Sequence, residues 1–133
     1  VALRKSEAFI PELSLVAEID GNIAGHIMFT KAYVEDTAVL ALAPLSVLPE
    51  YQKIGVGTAL IKSGHEIAKN LGYGYSVVLG SEKYYSRFGY LPARTFGIKP
   101  PFDVPKENFM AFKISASAPH IHGFIKYAEE FRI

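Results

Sequence analysis

The chain contains no cysteine, which removes disulfides, thiolate metal ligands and cysteine nucleophiles together. That absence is compatible with a reducing cytoplasm, the compartment expected for it. Excess charge of either sign is lacking too. Fourteen basic residues stand against 13 acidic ones, a formal net charge of +1. Such a balance gives no global field for nucleic acid or an anionic membrane, and no basic stripe with interleaved aromatics is present. Neither is expected as a partner. Long hydrophobic runs are also missing: the longest, Ala38 to Leu48, is interrupted by Pro44 and is too short to span a bilayer. No signal-peptide pattern is visible, and the chain opens at Val1 rather than at a methionine, so part of its N-terminus is expected to be missing.

What is present is a globular composition. Half of the 133 residues are hydrophobic and a fifth are charged, which suits a single domain over residues 1–133 with a core of its own. Ser14 to Ile19 (SLVAEI) reads as a strand and Ile23 to Val34 as its partner, joined by Asp20-Gly21-Asn22, residues that tolerate positive φ in a hairpin turn. Thr37 to Val47 is nearly continuous in apolar residues, as expected of a strand buried on both faces. Pro44 cannot donate to a ladder, so it predicts a bulge or an unpaired edge there. Leu60, Gly64, Ile67, Ala68 and Leu71 fall at helical spacing, with Gly72 as a stop. Tyr75 to Leu79 is another strand, Ser81 to Phe88 a short helix closed by Gly89, and Asn108 to Ile114 a last strand after a proline-rich stretch from Pro92. This order predicts a mixed α/β sheet, with strands 37–47 and 75–79 parallel and close together.

The stretch PEYQKIGVGTALI, Pro49 to Ile61, sits between a strand and a helix and carries two glycines one residue apart. The amides of Gln52 to Thr58 open a helix, where N–H groups lack intrahelical partners and the dipole is positive. Gly55 and Gly57 remove the side chains that would keep an anion from the backbone, so the loop fits a phosphate or pyrophosphate. The competing reading is a helix start that uses glycine for close packing. Two familiar phosphate loops are excluded. The dinucleotide fingerprint needs a third glycine where Leu60 stands, and the P-loop needs Lys-Ser/Thr after its last glycine, where Thr58 and Ala59 follow Gly57.

The run Leu45-Ser-Val-Leu-Pro-Glu-Tyr-Gln-Lys-Ile-Gly-Val-Gly-Thr resembles the acetyl-CoA-binding segment of the GNAT superfamily of N-acetyltransferases. Val47, Pro49, Tyr51, Gln52, Gly55 and Gly57 match its pattern V-x-P-x-[Y/F]-[Q/R]-x-x-G-x-[G/A]. Downstream, Tyr85 to Tyr90 resembles the family's Y-x-x-x-G-F motif, with Tyr90 in place of phenylalanine. The stretch from Val78 is similar to a bacterial subgroup with the signature V-L-G-x-x-x-Y-Y-x-R-F-G-F. The resemblance covers about Ser14 to Ile114. It implies a GNAT-like α/β (mixed α+β) fold: a central, mixed but largely antiparallel sheet with a bulged strand and flanking helices. The first strand and helix of that fold would be absent, with Val1 to Ile10 as the tail of the helical region.

The resemblance also implies roles. The pantetheine arm of acetyl-CoA would pair with Leu45, Ser46 and Val47. Its pyrophosphate would lie on Gln52, Lys53, Ile54, Gly55, Val56, Gly57 and Thr58, the last adding a hydroxyl. A free N–H near Val47 would stabilise the oxyanion, and Tyr85 would be the general acid for the leaving thiolate. Tyr85 also reads as a core aromatic with one hydrogen bond; Tyr84 reads as packing or pocket lining. No acidic residue lies in strands 38–47 and 75–79, so deprotonation of an amine whose pKa is about 10 falls to a water relay, Glu18 or Glu50. Lys53, Lys62 and Lys69 are candidates to steer the 3′-phosphate. Among the histidines, His26 is a hydrogen-bonded strand residue or a pocket residue and His65 a solvated helix residue. His120-Ile-His122 is too sparse for a metal site, and no metal is expected.

The activity implied is transfer of an acetyl group from acetyl-CoA to a primary amine of a small molecule or peptide, by direct attack in a ternary complex. The alternative is a catalytically weak module that binds coenzyme A or senses acyl-CoA. A homodimer is compatible with either. The acceptor's identity would be encoded in the missing N-terminal wall and in Pro92 to Lys106.

Overall fold

The computed structural model describes residues 9–127. Three long strands begin the chain: β1 (Phe9–Ile19), β2 (Asn22–Val34) and β3 (Thr37–Val47). The two-residue turn between β1 and β2 has Asp20 at φ 52° and Gly21 at φ 82°, so the positive φ falls one residue earlier than Gly21-Asn22, and Asn22 begins β2 opposite Ile19. Strand β1 starts five residues before the sequence pattern suggests. Its register with β2 breaks between Phe9 and Ser14, a stretch containing Pro11, which cannot donate to a ladder. Phe9 and Ile10 therefore belong to a strand and not to a helical tail, and residues 1–8 lie outside the described residues.

Helix α1 (Val56–Asn70) follows β3, and β4 (Tyr75–Leu79) returns parallel to it. The helix ends as a Schellman motif: Tyr73 N–H donates to the Ala68 carbonyl at 3.0 Å and Gly72 N–H to Lys69 at 3.1 Å, with Gly72 at φ 93°. The short helix α2 (Glu82–Tyr85) is capped by Ser81, whose hydroxyl accepts from Tyr84 N–H at 3.3 Å, and runs into a 3₁₀ turn at Ser86–Phe88. Strands β5 (Leu91–Pro92), β6 (Ile98–Lys99), β7 (Phe109–Lys113) and β8 (Gly123–Lys126) follow. The sheet order is β5-β7-β4-β3-β2-β8-β6, with β1 also on β2. Among the described residues, only β3–β4 and β6–β8 are parallel pairs, so the sheet is mixed and largely antiparallel.

Each face of the sheet has its own core. On one face, Ile27, Phe29, Leu40 and Leu42 pack with Leu60 and Ile61 of α1 and with Tyr90 and Met110. On the other, Val34, Val39, Ala41, Val77 and Ala111 pack under Ile98, Ile121 and Ile125 of the C-terminal third. Helix α1 sits close on β2 because Gly64 has no Cβ; one placed there would enter the Phe29 ring.

His65 is not a solvated residue. Its ring stacks on Phe112 at 4.2 Å and 5°, and its Nε2 lies 2.9 Å from the Tyr90 hydroxyl, which is 2.8 Å from Ser76 Oγ. Tyr90 is thus a buried phenol with both partners supplied by neighbouring elements, as a buried hydroxyl requires. Burial lowers the His65 pKa to about 4, because the charged imidazolium loses its hydration there. The folded-state pKa lies below the unfolded one, so His65 contributes stability that is complete above about pH 6.5 and is lost as pH falls through about 4. The loss is on the order of 3 kcal/mol. Urea midpoints at pH 7 and pH 4.5 should therefore differ more in the wild type than in His65→Phe. An equal acid loss in both proteins would show that His65 carries none of it.

Candidate functional site

The site begins where two strands part. Strands β3 and β4 pair only at Leu40↔Ser76 and Ala41↔Val77, although β3 continues to Val47 beside β2. On the β2 side, Phe29 pairs with Leu42 and Ile27 with Leu45, so β3 spends one more residue than its partner. The extra residue falls at Ala43-Pro44, the bulge expected from the proline. Past it, the edge of β3 facing β4 is left without a strand partner, and apart from the Val47 carbonyl, which accepts from Gln52, its backbone groups on that side have no ladder partner.

Helix α1 starts beside that open edge. Gly55 is its N-cap at φ 92°, with no side-chain cap and no acidic residue in the first turn. Ala59 N–H is the first to reach a carbonyl, that of Gly55 at 3.0 Å. The amides of Val56, Gly57 and Thr58 thus have no intrahelical acceptor, and neither a side-chain cap nor a first-turn carboxylate offsets the positive end of the helix. The loop is fixed to the strand by Gln52, whose Nε2 donates to the Val47 carbonyl at 3.0 Å. Lys53 sits at φ 68°, an uncommon conformation for a residue with a Cβ.

A cavity of about 620 Å³ lies over this junction. Strand β3 contributes Leu45 and Val47, the loop contributes Tyr51, Gln52, Lys53 and Gly55, and α1 contributes Val56, Gly57 and Thr58. Tyr84, Tyr85 and Arg87 close the far wall. Of the residues that the resemblance assigns to the pantetheine, the pyrophosphate and the general acid, all but two line this cavity. Ser46 is exposed and sits across the ladder from His26, and the Ile54 side chain is 62% exposed. Tyr85 is half-buried, its ring edge-on to Tyr84 at 5.0 Å and to Tyr90 at 5.7 Å. Burial first, and Tyr84 second, push its pKa up, so its hydroxyl keeps its proton at neutral pH.

Arg87 carries no assigned role in the sequence pattern, yet it lines the cavity. Its guanidinium lies 4.7 Å from the Tyr84 ring centroid and 5.3 Å from that of Phe88, with Nε donating to the Tyr84 carbonyl at 3.4 Å. Its spacing of three from Tyr84 on a helical turn was the available signal. Together with Lys53 it makes the cavity cationic, and among the described residues no acidic side chain lines it. Lys62 and Lys69 do not line this cavity. They border a neighbouring cleft with His65 and Glu66, which shares Thr58 and Arg87 with it.

A second cavity, about 700 Å³, occupies the same gap from the opposite face of the sheet. Leu42 and Ala43 of β3 and Val78 and Leu79 of β4 form its floor, and Phe102 and Phe124 its rim. Neither carboxylate considered as a base reaches either cavity: Glu18 and Glu50 are exposed and line neither. His26 lines neither as well; its Nε2 is 3.2 Å from Ser14 Oγ. Among the described residues, no group of three or more His, Cys, Asp or Glu could hold a metal ion.

The sequence profile of the Acetyltransferase (GNAT) family matches residues 3–90, and the chain belongs to that acetyltransferase family. It is 36% identical over 136 residues to the uncharacterized N-acetyltransferase YjhQ of Escherichia coli K12, covering 96% of this chain and 75% of that protein. Among solved structures, it is similar to the E. coli GNAT acetyltransferase YhbS in complex with CoA, with a TM-score of 0.90 and 26% identity over 99% of this chain and 74% of that one. It is also similar to a GNAT acetyltransferase from Brucella melitensis in complex with acetyl-CoA, with a TM-score of 0.75 and 32% identity over 98% and 73%.

The two glycines serve different ends, and stability measurements separate them. Gly55 has open space around a Cβ but a positive φ, whereas a Cβ on Gly57 would meet the Tyr84 hydroxyl. Gly55→Ala should cost about 1 kcal/mol through backbone strain, and Gly57→Ala about 1 kcal/mol through crowding. In urea denaturation, adding Tyr84→Phe should relieve the second cost and leave the first. Relief of both, or of neither, would contradict these assignments.

Proposed function

We propose that the protein transfers the acetyl group of acetyl-CoA to a primary amine of a small molecule or peptide, by direct attack in a ternary complex. The observation that carries this reading is the pair of cavities on opposite faces of one gap, the first cationic with open amides and the second apolar. The pyrophosphate of acetyl-CoA would take the amides at Gly55 to Thr58, with Lys53 and Arg87 balancing its charge. The pantetheine would follow the open edge of β3 past Leu45 and Val47, as an added strand does. That places the thioester at the gap, where an amine can approach from the other face.

The neutral amine nitrogen attacks the thioester carbon, forming the C–N bond, and a backbone N–H near Val47 stabilises the oxyanion. As the C–S bond breaks, Tyr85 donates its proton to the thiolate, the nitrogen releases a proton to water, and Tyr85 regains a proton from water. The placement of Glu18 and Glu50 away from both cavities supports water as that acceptor. The same lack of a carboxylate supports the alternative, a weakly catalytic module that binds acyl-CoA.

Release of free thiol from acetyl-CoA in the presence of an amine panel separates the two readings, since both bind the coenzyme. Tyr85→Phe keeps the ring and its packing while removing the proton. Its turnover should fall by roughly 10²–10⁴ with little change in coenzyme affinity, and Tyr84→Phe should cost much less. Wild-type turnover in Tyr85→Phe, measured where chemistry limits the rate, would remove Tyr85 from the mechanism.

A further inference from the structure

The second cavity is specific enough in its chemistry to indicate what approaches from that side. Large apolar side chains stand unusually open around it: Leu79 is 47% exposed, Phe102 57% and Phe124 64%. They sit on three separate segments yet converge on one cavity. A clustered apolar surface of this kind marks a binding site more often than chance exposure does. The floor continues this character through Leu42, Ala43 and Val78.

Among the described residues, the charged side chain that lines it is basic. Lys126 lines the cavity, and Lys99 Nζ lies 5.4 Å from the centroid of the Phe124 ring. Tyr127 also lines it, its hydroxyl held protonated by burial with a pKa raised to about 12. No carboxylate lines it among the described residues. A ligand bearing a second ammonium would lose hydration against Lys126 and gain no counter-charge.

We propose that the acceptor is a monoamine whose amino group is carried on an aromatic or branched apolar body, with the body on Leu79, Phe102 and Phe124 and the amino group directed through the β3–β4 gap. This deepens the acetyl-transfer reading and rests on it. The same surroundings address the missing base. Apolar walls and a neighbouring lysine both disfavour the charged form of a bound amine, so the acceptor enters with part of its deprotonation already favoured. A polyamine or an aminoglycoside-like polycation meets the opposite situation, because its remaining charges stay protonated in the apolar cavity.

The test compares 2-phenylethylamine and 3-methylbutylamine with 1,4-diaminobutane and spermidine, following thiol release at saturating acetyl-CoA. The apolar amines should exceed the polyamines in kcat/KM by about tenfold or more, the scale set by apolar pocket contacts. Phe124→Ser, an exposed position, should raise KM for 2-phenylethylamine and leave acetyl-CoA-induced thermal stabilisation unchanged. Lys126→Glu should move the preference toward the diamine. Preference for the polyamines in the wild type, or a preference that neither variant moves, overturns the acceptor class while acetyl transfer stands. Acetyl-CoA binding with no thiol release from any amine overturns both.

Discussion

The β3–β4 ladder stops after two residue pairs, and the rest of the site follows from that stop. A sheet normally satisfies its backbone groups strand against strand. Here the register on the β2 side shifts by one residue at Ala43-Pro44, and a proline at that point has no N–H to offer. Strand β3 stays tied to β2 as far as Gly25↔Val47, so the part beyond the bulge is held in place by one neighbour and open to the other side. The result is a rigid edge with unpaired polar groups, reachable from both faces.

Helix α1 sets its unpaired first-turn amides beside that edge. The helix is pressed onto β2 at Gly25 and Gly64, where a Cβ would meet Val56 and Leu60 in one case and the Phe29 ring in the other. This contact sets where the helix begins relative to β3, and Gln52 ties the intervening loop to the strand at Val47. The opposite wall is fixed by aromatic contacts from Tyr84 and Tyr85 to Phe88 and Tyr90, with Tyr90 anchored by Ser76 and His65. The buried hydrogen-bond network behind the cavity therefore orients its wall. Rigidity of this kind is what a site needs if an open edge is to be presented without collapse.

Much of this was legible in the sequence where the signal is local. Alternation, the Asp20-Gly21 turn, the helical stripe ending at Gly72 and the paired glycines each act within a few residues. Pro44 announced the bulge because its missing donor is a property of the residue itself. The short strands β5, β6 and β8 were not legible, since two to four residues carry no period and become strands only by pairing with distant partners. His65 reads as solvated in the sequence for a related reason. It lies four residues after Ile61, at the edge of the apolar stripe, and what buries it is Phe112 on β7 and the hydroxyl of Tyr90. The absence of a nearby carboxylate was visible in β3 and β4, but that Glu18 and Glu50 also stand clear of both cavities required the fold.

Backbone amide hydrogen exchange with and without acetyl-CoA tests the account most directly, because it reads the open edge and the helix start in one measurement. Protection on adding the coenzyme should concentrate at Leu45 to Val47 and at Gly55 to Thr58, with little change in β1 and β8. Protection confined to other segments, or binding that leaves the amides of Gly55 to Thr58 exchanging as before, would contradict it.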